Sequence, residues 1–350
     1  MSSKLLSAAL LVACATGSAA AVAAPGDTTI GGKGYFDLTS IDQTSDGTKT
    51  DASGTGLDAK RFYFSVTHQF DETWSANLTT DFNYVSNDNE TQLFVKKAYF
   101  EGKFSDGFAL RIGSTDVPLV PFVEGLYGNR YIENVLVEHL GLEASADWGV
   151  HALGKFAGGK AHYAVSAING GGYKNLTRSQ SLDLDGRVDF EPVESLTIGI
   201  AYRTGKRGLD KESVTTYHSA QRTELIAAYV KPKFRIGAEY FQADNWNQVL
   251  SPLSDKADGY SIWGTYSIKK DVSVFARYDD ATPSKDLAPN LSNTYFNIGV
   301  AFKPIAKLDL AVVYKQDKVE NGFYKTSNGT LGGLSTGKHN EIGLWAQVQF

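Results

Sequence analysis

The feature that most constrains this chain is a period of two. Trp74, Ala76, Leu78, Phe82 and Tyr84 would share one face of a strand, with Ser75, Asn77, Thr79, Asp81 and Asn83 on the other. Residues 196–202, 234–240 and 272–278 repeat the scheme. Successive side chains of a strand point to opposite faces, so this alternation predicts strands with one apolar side. With their flanking residues the strands are about 9–11 residues long, the length of a tilted strand crossing a bilayer. Many begin or end with an aromatic residue on the apolar face, where interfacial girdles belong. After Ala24 no apolar run reaches the ~20 residues of a membrane-spanning helix. The abundance of Gly (35), Phe (19) and Tyr (18) agrees with an all-β chain.

The connections alternate in length. Short turns are predicted near 70–73, 105–107, 157–160, 191–194, 231–233, 269–271 and 303–307, and long polar loops near 41–57, 86–91, 115–147, 170–180, 204–220, 244–258, 280–292 and 317–338. That rhythm predicts about sixteen strands with both termini on the short-turn side, the layout of an outer-membrane barrel. Residues 339–350 alternate to a final Phe350, with Ile342, Leu344, Ala346, Val348 and Phe350 on the lipid side. An open sheet edge inside lipid would leave backbone groups unpaired, which requires the barrel to close.

At the other end, Lys4, the small and apolar run Leu5–Ala20 and Ala21-Val22-Ala23 read as a signal peptide cleaved after residue 23, leaving 24–350 as the barrel. Cys14 also fits a lipoprotein cleavage box, although the apolar run continues past it. If Cys14 is removed, no disulfide can form.

One segment breaks the rhythm. Residues 115–147 hold two prolines, three glycines and no sustained alternation, yet Val117, Leu119, Val120, Phe122, Val123, Leu126 and Tyr127 make the segment too apolar for a solvated tail. Placed after the fifth strand, it becomes the third external loop and the expected constriction, carrying Asp116, Glu124, Arg130, Glu133 and Glu138. The polar face of the strands carries the basic residues Arg61, Lys97, Arg111, Arg187, Arg203, Arg235 and Arg277 among others, beside a similar number of acids. A dry interior could not hold so many charges, whereas sixteen strands leave an aqueous channel. Arg61, Lys97 and Arg111, on the second, fourth and fifth strands, either form a positive stripe or pair with nearby carboxylates.

No nucleic-acid partner is expected from a net charge of −5 without a basic cluster. The six histidines have no metal-like spacing, and no nucleophile, phosphate-loop or metalloprotease motif is present. Neither cofactor, metal nor catalysis is therefore expected; His218-Ser219 is the nearest approach to a catalytic pair.

Lys97-Ala-Tyr-Phe-Glu101, Leu110-Arg-Ile-Gly113 followed by Pro118, Asp147-Trp-Gly-Val150 and Ala167-Ile-Asn-Gly170 stand in the order found in the phosphate-selective porin O/P family, and the mature chain resembles a Gram-negative porin throughout. The resemblance implies a sixteen-stranded antiparallel transmembrane β-barrel with the third external loop folded into the lumen. It also implies a homotrimer among outer-membrane lipid and lipopolysaccharide, passing small hydrophilic solutes or ions. Here the third loop sets Arg130 against Asp116, Glu124, Glu133 and Glu138, a field that would repel phosphate at a constriction, so phosphate specificity is not carried over. A solute-selective channel for an anion or a sugar, and a structural or adhesive surface barrel, remain as alternatives.

Overall fold

The computed structural model describes residues 24–85 and 90–350. The predicted signal peptide, 1–23, and residues 86–89 of the second predicted loop lie outside the described residues. Sixteen long strands follow one another: β1 (Thr28–Ser45), β2 (Gly54–Gln69), β3 (Trp74–Val85), β4 (Glu90–Ser105), β5 (Phe108–Asp116), β6 (Ala146–Phe156), β7 (Ala161–Ile168), β8 (Asp183–Val193), β9 (Leu196–Gly205), β10 (Ala220–Val230), β11 (Phe234–Asp244), β12 (Lys256–Lys269), β13 (Val272–Thr282), β14 (Ser292–Ile305), β15 (Leu308–Thr326) and β16 (Gly329–Gln349). A two-residue rung, Thr48–Lys49, also pairs with the end of β1. Each strand is antiparallel to its neighbours in sequence, and β1 pairs with β16 from Lys33↔Gln349 to Ser45↔Gly337, which closes the barrel. Closure removes every edge, as a sheet in lipid requires.

The alternation read from sequence corresponds to two environments. On β16, Ile342 is 56% exposed while Trp345 is wholly buried, and the same apolar-out pattern runs round the sheet through Leu225, Ile236, Ile262 and Ile298. An apolar belt this extensive is unsuited to water and suits hydrocarbon. The residues between them point inward and carry most of the charge: Asp81, Asp185, Arg203, Arg222, Glu239, Arg277, Asp317 and Glu341 are buried there.

Two expectations about length are corrected. The predicted loop 41–57 is largely strand, since β1 runs to Ser45 and β2 begins at Gly54. The predicted loop 317–338 is almost wholly strand, for β15 and β16 (19 and 21 residues) form one ribbon with only 327–328 between them. Its polar, glycine-rich composition resembles a loop because the ribbon folds back on itself. Nine residues of strand span roughly 30 Å, yet Thr326 Oγ1 donates to Asp317 Oδ2 at 2.7 Å. The bend falls at an irregularity between Glu320 and Gly322, where Asn321 (φ 60°) and Gly322 (φ 149°) leave the extended region, joined by Gly332 (φ 133°) on the facing strand. Asn and Gly tolerate such angles best, and a bulge supplies the extra twist.

Candidate functional site

Between β5 and β6, residues 117–145 contain two short helices, α1 (Val120–Tyr127) and α2 (Leu136–His139). Pro121 lies in the first turn of α1, where its missing N–H costs nothing. Gly128 ends the helix in the left-handed region (φ 79°) and donates its N–H to the Glu124 carbonyl at 2.9 Å. The spacing of Val120, Val123, Leu126 and Tyr127 puts all four on one face, and all are buried. They pack against Ile226, Ala228, Phe241 and Trp263, apolar residues on the inward-facing side of β10–β12, with the Tyr127 ring edge-on to Trp263 at 5.8 Å. Burying four side chains of this size contributes about 1.5–3 kcal/mol each before the entropy of ordering the segment is subtracted.

Arginines of the strands hold the backbone of this segment. Arg187 donates to the Pro118 carbonyl at 2.7 Å and lies over the Phe122 ring. Arg235 donates to the carbonyls of Gly125 and Leu126 at 2.8 and 2.7 Å, satisfying the C-terminal end of α1. Further along, Arg277 reaches the Asn134 carbonyl and Arg222 the Leu142 carbonyl at 2.9 Å. Arg203 and Arg222 both pair with Glu143. Of the basic residues named from the sequence, Arg187, Arg203, Arg235 and Arg277 are thus engaged with the segment or with neighbouring acids. Arg222 and Glu143 escaped the sequence reading. Arg222 alternates in step with Glu224 and Ile226, which marks it as inward but not as a fastener.

The remaining three lie on the opposite wall, in contact with acids. Lys97 pairs with Asp116 at 2.5 Å, Arg111 with Glu101 at 2.5 Å and Arg61 with Asp81 at 3.6 Å, and the three cations stay partly exposed. Within the segment Arg130 binds Glu124 at 2.6 Å and Glu138 at 3.0 Å. Glu133 is buried against Lys315 at 3.2 Å. All five candidate constriction residues, Asp116, Glu124, Arg130, Glu133 and Glu138, are therefore in ion pairs, so the segment is less negative than its composition. Burial pushes the Glu138 carboxyl up despite Arg130.

The folded-back tip of the β15–β16 ribbon meets α2. Ser327 donates its N–H to the His139 carbonyl at 2.8 Å and its hydroxyl to Glu133 at 2.7 Å. The Tyr324 hydroxyl donates to the Leu140 carbonyl at 2.8 Å. His139 Nδ1 is 2.6 Å from Ser327 Oγ, and its Nε2 is 3.4 Å from Asp317. This Ser/His/Asp contact has the membership of a hydrolase triad but not its proton inventory. Burial opposes charge on His139, yet Asp317 and Glu133 outweigh it and raise the imidazole to about 9. An imidazolium cannot accept the Ser327 proton at neutral pH. Burial likewise opposes charge on Glu133, while Lys315, His139 and Ser327 hold its carboxyl well below the usual carboxylate range. The cluster is a clamp made of charges. His218, the other histidine singled out, is remote from it in sequence and bonds through its carbonyl to Lys206 at 2.8 Å.

Comparison with known proteins agrees with this architecture. The Gram-negative porin family matches residues 7–329. The outer membrane protein SlpA of Thermus thermophilus is 28% identical over 151 residues, 39% of this chain, and the match spans only 16% of that relative's length. Among solved structures, the outer membrane channel DcaP of Acinetobacter baumannii superposes with a TM-score of 0.66 at 15% identity, covering 93% of this chain and 98% of that one. The anion-selective porin from Comamonas acidovorans reaches a TM-score of 0.68 at 10% identity, with 93% and 100% covered. At these identities the structural likeness establishes the fold.

Proposed function

The chain belongs to the Gram-negative porin family, and on that premise we propose that it is an outer-membrane channel for passive diffusion of small hydrophilic solutes and ions, with residues 117–145 as its constriction. The carrying observation is the asymmetry of the inward-facing wall. From β8 to β15 it is covered by the segment and fastened through arginines. From β1 to β5 it leaves Arg61, Lys97 and Arg111 partly exposed. A polar strip facing a neutralised loop suits a water-filled passage with a transverse field and weak charge preference. We also propose that the barrel assembles as a homotrimer among lipid and lipopolysaccharide, as the resemblance to the phosphate-selective O/P porins implies. The phosphate preference of that subfamily does not follow, since Arg61, Lys97, Arg111 and Arg130 each already have a carboxylate.

Planar-bilayer recording of the purified protein is the test. Ohmic steps and a small reversal potential under a KCl gradient support a general diffusion channel. Saturation or block by one solute at low concentration would favour the selective alternative. An absence of conductance would favour a structural or adhesive barrel.

A further inference from the structure

The sheet register between β3 and β4 slips between Thr79 and Thr80, which pair with Lys97 and Val95. Lys96 is the extra residue. A bulge puts two consecutive side chains on the same side of a strand, and so Lys96 turns inward beside Lys97 while Val95 stays outside, 37% exposed. Lys96 is only 7% exposed. Its ammonium donates to the Tyr63 hydroxyl at 3.1 Å and lies 4.4 Å above the Tyr63 ring. On the other side of Tyr63, Lys33 of β1 is its direct cross-strand partner. Among the described residues, no carboxylate is within ion-pair distance of Lys33 or Lys96. The neighbouring cations are neutralised instead, Arg61 by Asp81 and Arg130 by Glu124 and Glu138. Glu124 of α1 is an electrostatic neighbour of Lys33, and Glu138 of α2 is one of Lys96.

A nearly buried ammonium without a counter-ion is costly, and a cation–π contact offsets only part of that cost. We propose that Lys33, Lys96 and Tyr63 form a subsite for a small organic monocarboxylate at the constriction. The Tyr63 hydroxyl accepts from Lys96 and keeps its own proton to donate to the incoming carboxylate. Two ammoniums supply the charge, and Tyr35, edge-on to Tyr63 at 6.0 Å, supplies an apolar flank. A phosphate dianion is disfavoured: Asp81, Glu124 and Glu138 surround the site, a second negative charge doubles their repulsion, and two point-charge lysines lack a guanidinium's fork.

The subsite rests on the channel reading, and one experiment separates them. Chloride current through single channels is recorded with acetate, benzoate or inorganic phosphate added, for the wild type and for Lys33→Gln, Lys96→Gln and Lys96→Arg. Neither Gln variant strands a paired carboxylate, and retention of the fold is read from heat-modifiable electrophoretic mobility. The carboxylates are expected to reduce wild-type current in a saturable way, with the half-blocking concentration raised roughly tenfold in either Gln variant, the effect of one nearby charge. Lys96→Arg should retain most of the block. Block that is equal in all variants, or stronger with phosphate than with carboxylate, overturns the subsite while leaving the channel intact. Wild-type protein that folds but carries no current overturns both.

Discussion

Glu124 and Glu133 carry the same charge in the same segment, but their surroundings assign them different work. Glu124 is partly exposed beside Arg130 and faces the opposite wall, whereas Glu133 is buried among Lys315, His139 and Ser327. Glu124→Gln is therefore expected to leave the fold intact and raise the chloride-over-potassium permeability ratio roughly two- to fivefold, because Arg130 keeps a single partner. Reversal potentials under a KCl gradient check this, and an unchanged value would place Glu124 away from the ion path. Glu133→Gln is expected to act through structure. It removes one partner of a buried network at a cost on the order of 3 kcal/mol, seen as a lower temperature for loss of heat-modifiable mobility. From sequence the two glutamates look alike, because burial depends on Lys315 and Ser327, which lie 182 and 194 positions away.

At the scale of elements, segment 117–145 has two attachments of different kinds. One is the apolar face of α1 on the wall, reinforced by arginines to backbone carbonyls, and it has no titratable partner near neutrality. The other is the clamp between α2 and the folded-back ribbon, and it titrates. His139 is raised from its ordinary value of about 6.5 to about 9, so its stabilising contribution is complete below the ordinary value and is lost as pH rises through about 9. Glu133 is depressed, so its contribution is present above the ordinary carboxylate range and is lost only on strong acidification. The clamp is consequently firm from mildly acidic to neutral pH and loosens on the alkaline side. Open-channel current noise is expected to increase between pH 8 and 10, and His139→Gln should show the same noise already at pH 7. Noise that is flat across that range in the wild type would mean that the segment is held by its apolar face alone. The alternation in 339–350 was legible, but 317–338 reads as a loop and the bend was not legible. The contacts of Thr326 and Asn328 with Asp317 show that a stretch composed like a loop is a ribbon folded back on itself.

For the whole molecule, the seam between first and last strands is the step on which closure depends. Phe350 and Gly32 exchange backbone hydrogen bonds at 3.1 Å each. The Phe350 ring occupies the space that a side chain at position 32 would need, and packs beside Phe62 at 6.2 Å. Gly32→Val is expected to displace that ring at a cost of about 1–3 kcal/mol, lowering the fraction that acquires heat-modifiable mobility, whereas Gly56→Val, where the space is open, should not. Equal yields for both would show that the ring is not needed at the seam.

The sequence by itself determined the class of object: a period of two that only strands satisfy, connections of two lengths, an alternating terminus and one apolar interruption after the fifth strand. These features are local, and each is set by neighbours a few residues apart. Which charges are spent and which are free was decided by the tertiary structure alone. Ion pairing joins residues on different strands and on the segment they enclose, and a one-residue slip turns Lys96 from the lipid side to the lumen. The composition of the interruption therefore exaggerates its acidity, since its carboxylates meet Lys97, Arg130 and Lys315 in the fold. Lys33 and Lys96, which have no carboxylate within ion-pair distance among the described residues, lie across from it on a wall whose register no alternation rule predicts.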